Sequence, residues 1–136
     1  MTPATMATLH ARCFRQPRPW LAHEFVAIAS DPLCFTLFES DGFLIGRAVA
    51  DEAEILTLAV DPDARRKGVA SKLVQGFLAQ AKNRSAVSVF LEVAANNTAA
   101  ISLYLQAGFT KAGLRRGYYA PPGAAAVDAV IMSRAV

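Results

Sequence analysis

Val60 to Lys82, VDPDARRKGVASKLVQGFLAQAK, passes from a strand end through a basic glycine turn into an amphipathic helix, the succession that cradles a pyrophosphate. The turn is Arg65, Arg66, Lys67, Gly68, Val69 and Ala70. The first amides of a helix have no partner within it, and an anion satisfies them. Three consecutive cations ahead of a helix N-terminus oppose its dipole, at a cost on the order of 0.3–1 kcal/mol each unless a negative ligand sits between them. The pattern points to an enzyme with a nucleotide cofactor. It is neither of two familiar phosphate loops, because the GxxxxGK[ST] spacing is absent and a single glycine stands where GxGxxG needs more.

Glu92 lies inside Leu91-Glu92-Val93, on a strand expected to be buried, where an unpaired charge costs several kcal/mol. Either it is solvated or paired with an arginine at the strand's end, or it is a general base in a cleft. Asn97 is a good helix N-cap, a role that alone would justify it, and its amide could still touch a cofactor. Tyr104 sits in the apolar register beside Ile101 and Leu105, so packing explains its ring while its hydroxyl needs a partner. A phenol beside a cleft can serve as an acid. Tyr118 and Tyr119 follow Arg115 and Arg116, a cluster that suits a substrate channel, a stacking surface for single-stranded nucleic acid, or a plain strand edge. His10 and His23 lack further ligands at metal spacing and read as ordinary surface or helix residues, so no metal is implied.

The elements that must position these residues follow from composition and periodicity. At 136 residues and 54% hydrophobic, the chain has material for one domain, residues 1–136, with a real core. A net charge of +3 suits phosphate-bearing ligands and falls short of a nucleic-acid-coating surface. Cys13 and Cys34 stand apart in apolar surroundings and read as reduced thiols, and no apolar run approaches the roughly 18 residues of a membrane span. A cytoplasmic, unsecreted protein is expected.

Thr5 to Phe14 and Trp20 to Ser30 have helical spacing, separated by Pro17 and Pro19. Leu33 to Phe38 and Phe43 to Ala50 flank the turn signal Glu39, Ser40, Asp41, Gly42, and Ala53 to Val60 completes an antiparallel meander feeding the glycine turn. Asp61, Pro62 and Asp63 read as an architectural turn. Ala70, Leu73, Val74, Phe77, Leu78 and Ala81 form one helical face. Val87 to Val93 reads as a central strand, Asn97 to Ala107 as a helix closed by Gly108, and Phe109 to Tyr119 with Val127 to Arg134 as a hairpin around Pro121, Pro122 and Gly123.

The order Leu58-Ala59-Val60-Asp61-Pro62, Arg65-x-x-Gly68-x-Ala70, Leu91-Glu92-Val93, Asn97, Ala100-Ile101-x-Leu103-Tyr104, Gly108-Phe109 resembles the GNAT superfamily of acyl-CoA-dependent N-acetyltransferases. The stretch AISLYLQAGF, then Arg115-Arg116-x-Tyr118-Tyr119, Asp128-Ala129 and Ile131-Met132, with Pro19-Trp20 after Phe14, further resembles its RimI group, the ribosomal-protein alanine N-acetyltransferases. The resemblance implies an α/β (α+β) GNAT fold, a mixed central sheet of about six to seven strands flanked by about four helices.

It also implies acetyl-CoA as cosubstrate. Glu92 would be the proton acceptor and Tyr104 the proton donor; Leu58, Ala59 and Val60 would pair with pantetheine; Arg66, Lys67, Gly68, Val69, Ala70 and Ser71 would bind the pyrophosphate; Asn97 would touch the cofactor. Tyr118 and Tyr119 would face the acceptor, a protein N-terminus such as that of a small-subunit ribosomal protein, with the enzyme a monomer or weak dimer. Two departures touch the acceptor side: Ala94 stands where that group carries arginine, and Arg15 to Arg18 is an added stretch.

The acceptor amine must be neutral to attack, which costs about 1.4 kcal/mol at pH 7 for an α-amine of pKa about 8 and about 4.6 for a lysine near 10.4. An N-terminal substrate is therefore the easier target. A glutamate of ordinary pKa, about 4.3, is a weak base, so Glu92 needs a raised pKa or a relaying water. The competing readings are a small-molecule amine or antibiotic acetyltransferase, a non-catalytic acyl-CoA-binding or ribosome-associated module, and, more distantly, a nucleic-acid binder.

Overall fold

The structure, a computed structural model, describes residues 1–15 and 17–136; Gln16, inside the added stretch Arg15 to Arg18, lies outside the described residues. Four α-helices and six strands follow in the order α1 (Pro3–Cys13), α2 (Ala22–Ala29), β1 (Cys34–Glu39), β2 (Gly42–Val49), β3 (Glu52–Val60), α3 (Val69–Asn83), β4 (Ser88–Ala94), α4 (Thr98–Gln106), β5 (Thr110–Tyr119) and β6 (Val127–Ala135). The expected meander, crossover helix and closing hairpin are all present. The first hairpin is tighter than its four-residue turn signal, because Glu39 already pairs with Gly42.

Local chemistry accounts for the helix ends. Thr2 and Thr5 exchange backbone and side-chain hydrogen bonds at the start of α1, with Pro3 in the first turn. Glu24 accepts from the Leu21 N–H at 3.0 Å and closes the start of α2. Asn97 caps α4 by accepting from Ala100 N–H at 3.1 Å, and Gly108 beyond its end has φ +91°, as a C′ glycine should.

The sheet order is β1-β2-β3-β4-β6-β5, with β3 and β4 its parallel pair. Both faces are covered. Under α3 and α4, Leu73, Val74, Phe77, Leu91, Phe109 and Met132 form the larger core. Under α1 and α2, Met6, Leu9, Phe25, Phe43, Ile45 and Ala59 form the smaller one.

Two irregularities in β3 shape everything around it. Ile45 faces Thr57 while Gly46 faces Ile55, so Leu56 is an extra residue, a β-bulge. Ahead of the bulge Ala53 and Ile55 point into the α3 core; past it Val60 does, and Ala59 turns to the α1 side. The β3–β4 pairing runs only from Glu52↔Ser88 to Ile55↔Leu91, so the two strands part at the bulge.

Gly46 lies at that bend, and a Cβ there would stand 2.5 Å from Phe35 Cζ and 2.9 Å from Phe77 Cε1, two rings stacked on each other. Gly46→Ala is expected to lower unfolding free energy by about 1–3 kcal/mol through overpacking, read from the shift in the urea denaturation midpoint.

Candidate active site

Where β3 and β4 part, a cavity of about 110 Å³ opens. Its walls are Leu56, Thr57 and Leu58 on β3 and Glu92, Val93 and Ala94 on β4. Asn97, Ala100 and Tyr104 of α4 and its cap close one side, and Phe14, Pro17, Trp20 and Tyr119 close the other. Five of the sequence-derived site residues, Leu58, Glu92, Asn97, Tyr104 and Tyr119, thus meet at one cavity.

The others lie elsewhere. Ala59 and Val60 continue β3 past the gap with side chains buried on opposite faces. Arg66, Lys67 and Gly68 form the exposed turn ahead of α3, followed by Val69, Ala70 and Ser71 in its first turn. Tyr118 is half exposed on the outside, under the Arg115 guanidinium at 5.2 Å from the ring centre.

Glu92 lines the cavity, and Arg115 Nη2 contacts its Oε1 at 3.1 Å, the arginine pairing that one of the two sequence readings expected. Oε2 has no hydrogen-bond partner among the described residues. Alternation on β4 explains the placement: Val89, Leu91 and Val93 belong to the α3 core, so Glu92 faces the other way. The ring of Tyr104 packs edge-on to Phe109 at 5.8 Å, and burial alone raises its pKa. The phenol therefore keeps its proton, as a donor must. Leu105, expected beside it in the apolar register, is exposed instead.

At the helix end of the gap, Gly68 is the N-cap of α3 in the left-handed region, φ +79°, and offers no side-chain cap. A Cβ on Gly68 would meet nothing within 4 Å. The open space beside Gly68, first-turn amides without a partner among the described residues, and exposed Arg66 and Lys67 fit a pyrophosphate. Asp61 accepts from Asp63 N–H and pairs with Arg12, which holds the preceding turn in place.

His10 lies on a helix, as one half of the sequence reading has it, but not on the surface. It is 1% exposed. Its Nε2 lies 2.8 Å from Thr57 Oγ1, its Nδ1 accepts from Trp20 N–H at 3.0 Å, and its ring stacks on Phe14 at 4.2 Å. The signal was available, since Met6, Leu9, His10 and Cys13 stand at i, i+3, i+4 and i+7 on α1. Glu54 is a further acid that the sequence reading does not single out. It sits on β3 opposite Arg47, half buried, its pKa raised by burial and then by the Glu92 carboxylate. As an acid inside the apolar run Ala53 to Val60 it carried the same signal as Glu92.

Comparison with known proteins agrees with this architecture. The Acetyltransferase (GNAT) family matches residues 4–109. The ribosomal protein bS18-alanine N-acetyltransferase of Salmonella typhimurium is 42% identical over 91 residues, 67% of this chain and 61% of that protein. The match therefore spans less than two thirds of that relative's length. The N-alpha-acetyltransferase RimI of Mycobacterium tuberculosis is 36% identical over 137 residues, 94% of this chain and 83% of that one. The crystal structure of the ribosomal-protein-S18-alanine N-acetyltransferase from Escherichia coli superposes with a TM-score of 0.85 at 32% identity, covering 98% of this chain and 86% of the other.

The fold is that of an α/β acetyltransferase. The chain belongs to the GNAT acetyltransferase family, as its motifs implied.

Burial pushes the His10 pKa down to about 4, against an upward pull from the Glu24 carboxylate. In the unfolded chain the imidazole takes its proton as pH falls through about 6.5, in the folded chain only near 4. Between those values the unfolded state binds more protons, so stability is complete above about pH 6.5 and declines toward pH 4, by roughly 3 kcal/mol in all. Urea midpoints measured between pH 6.5 and 5, where most carboxylates stay charged, should fall in the wild type and stay flatter in His10→Gln.

Proposed function

We propose that this protein is an acetyl-CoA-dependent N-acetyltransferase that acts by direct transfer on the N-terminal α-amine of a protein, with alanine as first residue and a ribosomal protein as the leading candidate acceptor. The observation that carries the proposal is the meeting of Glu92 and Tyr104 at one cavity between the parted strands. The names of the Salmonella and Mycobacterium relatives support the acceptor class. So does the cost of deprotonation, which favours an α-amine over lysine.

Acetyl-CoA, when bound, supplies an activated acetyl thioester. The amides of Val69, Ala70 and Ser71, with Arg66, Lys67 and Gly68, would hold its pyrophosphate. Past Ile55 β3 no longer pairs with β4, which opens the backbone along Leu58, Ala59 and Val60 to the pantetheine, with the Val60 carbonyl already accepting from the Cys13 thiol at 3.2 Å, and Asn97 lies at the same gap.

On the acceptor side, Arg115 fixes one oxygen of Glu92 and leaves Oε2 to take the amine's proton, directly or through a water. Tyr104, held protonated by its burial, would give its proton to the departing thiolate. Phe14, Pro17, Trp20 and Tyr119 narrow the acceptor entrance, which favours a slender first residue over a bulky ring system.

Glu92→Gln and Tyr104→Phe are each expected to lower kcat by about 10²-fold with acetyl-CoA affinity little changed. Unaltered turnover in both would remove these roles. Labelled acetyl-CoA offered with peptides of differing first residue, beside polyamines and aminoglycosides, should label the alanyl peptides fastest. Faster labelling of the polyamines or aminoglycosides would favour a small-molecule enzyme. Cofactor binding without any transfer would favour a non-catalytic module.

A further inference from the structure

We infer that the Thr57 hydroxyl, locked by His10, is a specificity-determining hydrogen-bond donor that grips the carbonyl oxygen next to the acceptor's amine. The inference rests on the α-amine reading above and names what makes the site prefer a peptide to a simple amine.

The hydrogen-bond directions are settled by one backbone group. Trp20 N–H can only donate, and it donates to His10 Nδ1 at 3.0 Å, so that nitrogen carries no hydrogen. The single hydrogen of the neutral ring is then on Nε2, 2.8 Å from Thr57 Oγ1, and the threonine oxygen is the acceptor in that contact. The hydroxyl's own hydrogen cannot return to His10, and no other described residue receives it. Thr57 is 7% exposed and lines the cavity beside Glu92 and Tyr104. A donor that none of the described residues accepts from therefore stands in the wall of the reaction space.

What it grips follows from the chemistry. The amine must keep its lone pair for attack, so its nitrogen is excluded as the acceptor of this bond. Thr57 belongs to the α1 face of the sheet, the side of Phe14 and Trp20, away from the turn at Gly68. The polar atom that every peptide N-terminus offers on the second carbon from its amine is a carbonyl oxygen, and polyamines and simple alkylamines lack it. A site that provides a buried donor discriminates against ligands that leave it unpaired. The aromatic packing of His10 against Phe14 and Trp20 keeps the donor from swinging away.

The test is a cycle of protein and substrate changes. Wild type, Thr57→Ser and Thr57→Val are assayed with an alanyl peptide and with the same peptide carrying sulfur in place of its first carbonyl oxygen, a much weaker acceptor. The KM of the oxygen peptide should rise about tenfold in Thr57→Val, the size of one hydrogen bond, and stay near wild type in Thr57→Ser. The KM for acetyl-CoA should not move. The sulfur peptide should bind several-fold more weakly than the oxygen peptide in wild type and equally in Thr57→Val. An unchanged peptide KM in Thr57→Val, an equal rise in the acetyl-CoA KM, or identical wild-type KM values for the two peptides would each overturn the inference. The last readout needs no variant, so it stands even where Thr57→Val folds poorly. A wild-type protein that acetylates no peptide overturns the proposed function and this inference with it; an active wild type that ignores the sulfur change overturns this inference alone.

Discussion

The rest of the molecule depends on the parting of β3 from β4 after Ile55. Two parallel strands that stayed paired to their ends would fill the space where the cavity lies and bond every backbone group along β3. The added residue at Leu56 prevents this by bending the strand and shifting its side-chain alternation by one. The same shift brings Thr57 toward α1 and returns Val60 to the α3 core. One insertion in one strand thus supplies an opening, a free backbone edge and a polar side chain at the wall.

The N-terminal helices are coupled to that wall through a buried histidine. Its position in the smaller core is tolerable because both ring nitrogens are satisfied, one by Trp20 N–H and one by Thr57. Phe14, Trp20, Phe25 and Phe43 surround the ring. The contact therefore joins the N-terminal segment at one side of the cavity to the strand that forms its wall. Charge is arranged to match. Cations crowd the exposed turn at Arg65 to Lys67, whereas Glu54 and Glu92 have Arg47 and Arg115 beside them.

Much of this was legible in the residues. The apolar spacing of α3, Asn97 as cap and Gly108 as stop each rest on contacts within a few positions, and each appears where expected. Glu92 and Tyr104 stood out because a carboxylate in an apolar strand and a phenol in an apolar helix face demand a reason. His10 was misplaced because the partners that make its burial acceptable are 10 and 47 positions away. Glu92 looked like a choice between a base and an ion pair, and only the register of β5 on β6 brings Arg115 to it.

By itself the sequence determined the family, the order of elements and the glycine turn with its bare amides, since all of these depend on local periodicity and on residue types at short spacing. Tertiary structure decided the rest: where β3 leaves β4, which tyrosine of the Tyr118–Tyr119 pair reaches the cavity, and which hydroxyl is left with a hydrogen to give. The physical reason is that a bulge moves side chains between faces without altering composition, and a hydrogen bond acquires direction only when its distant partners are in place.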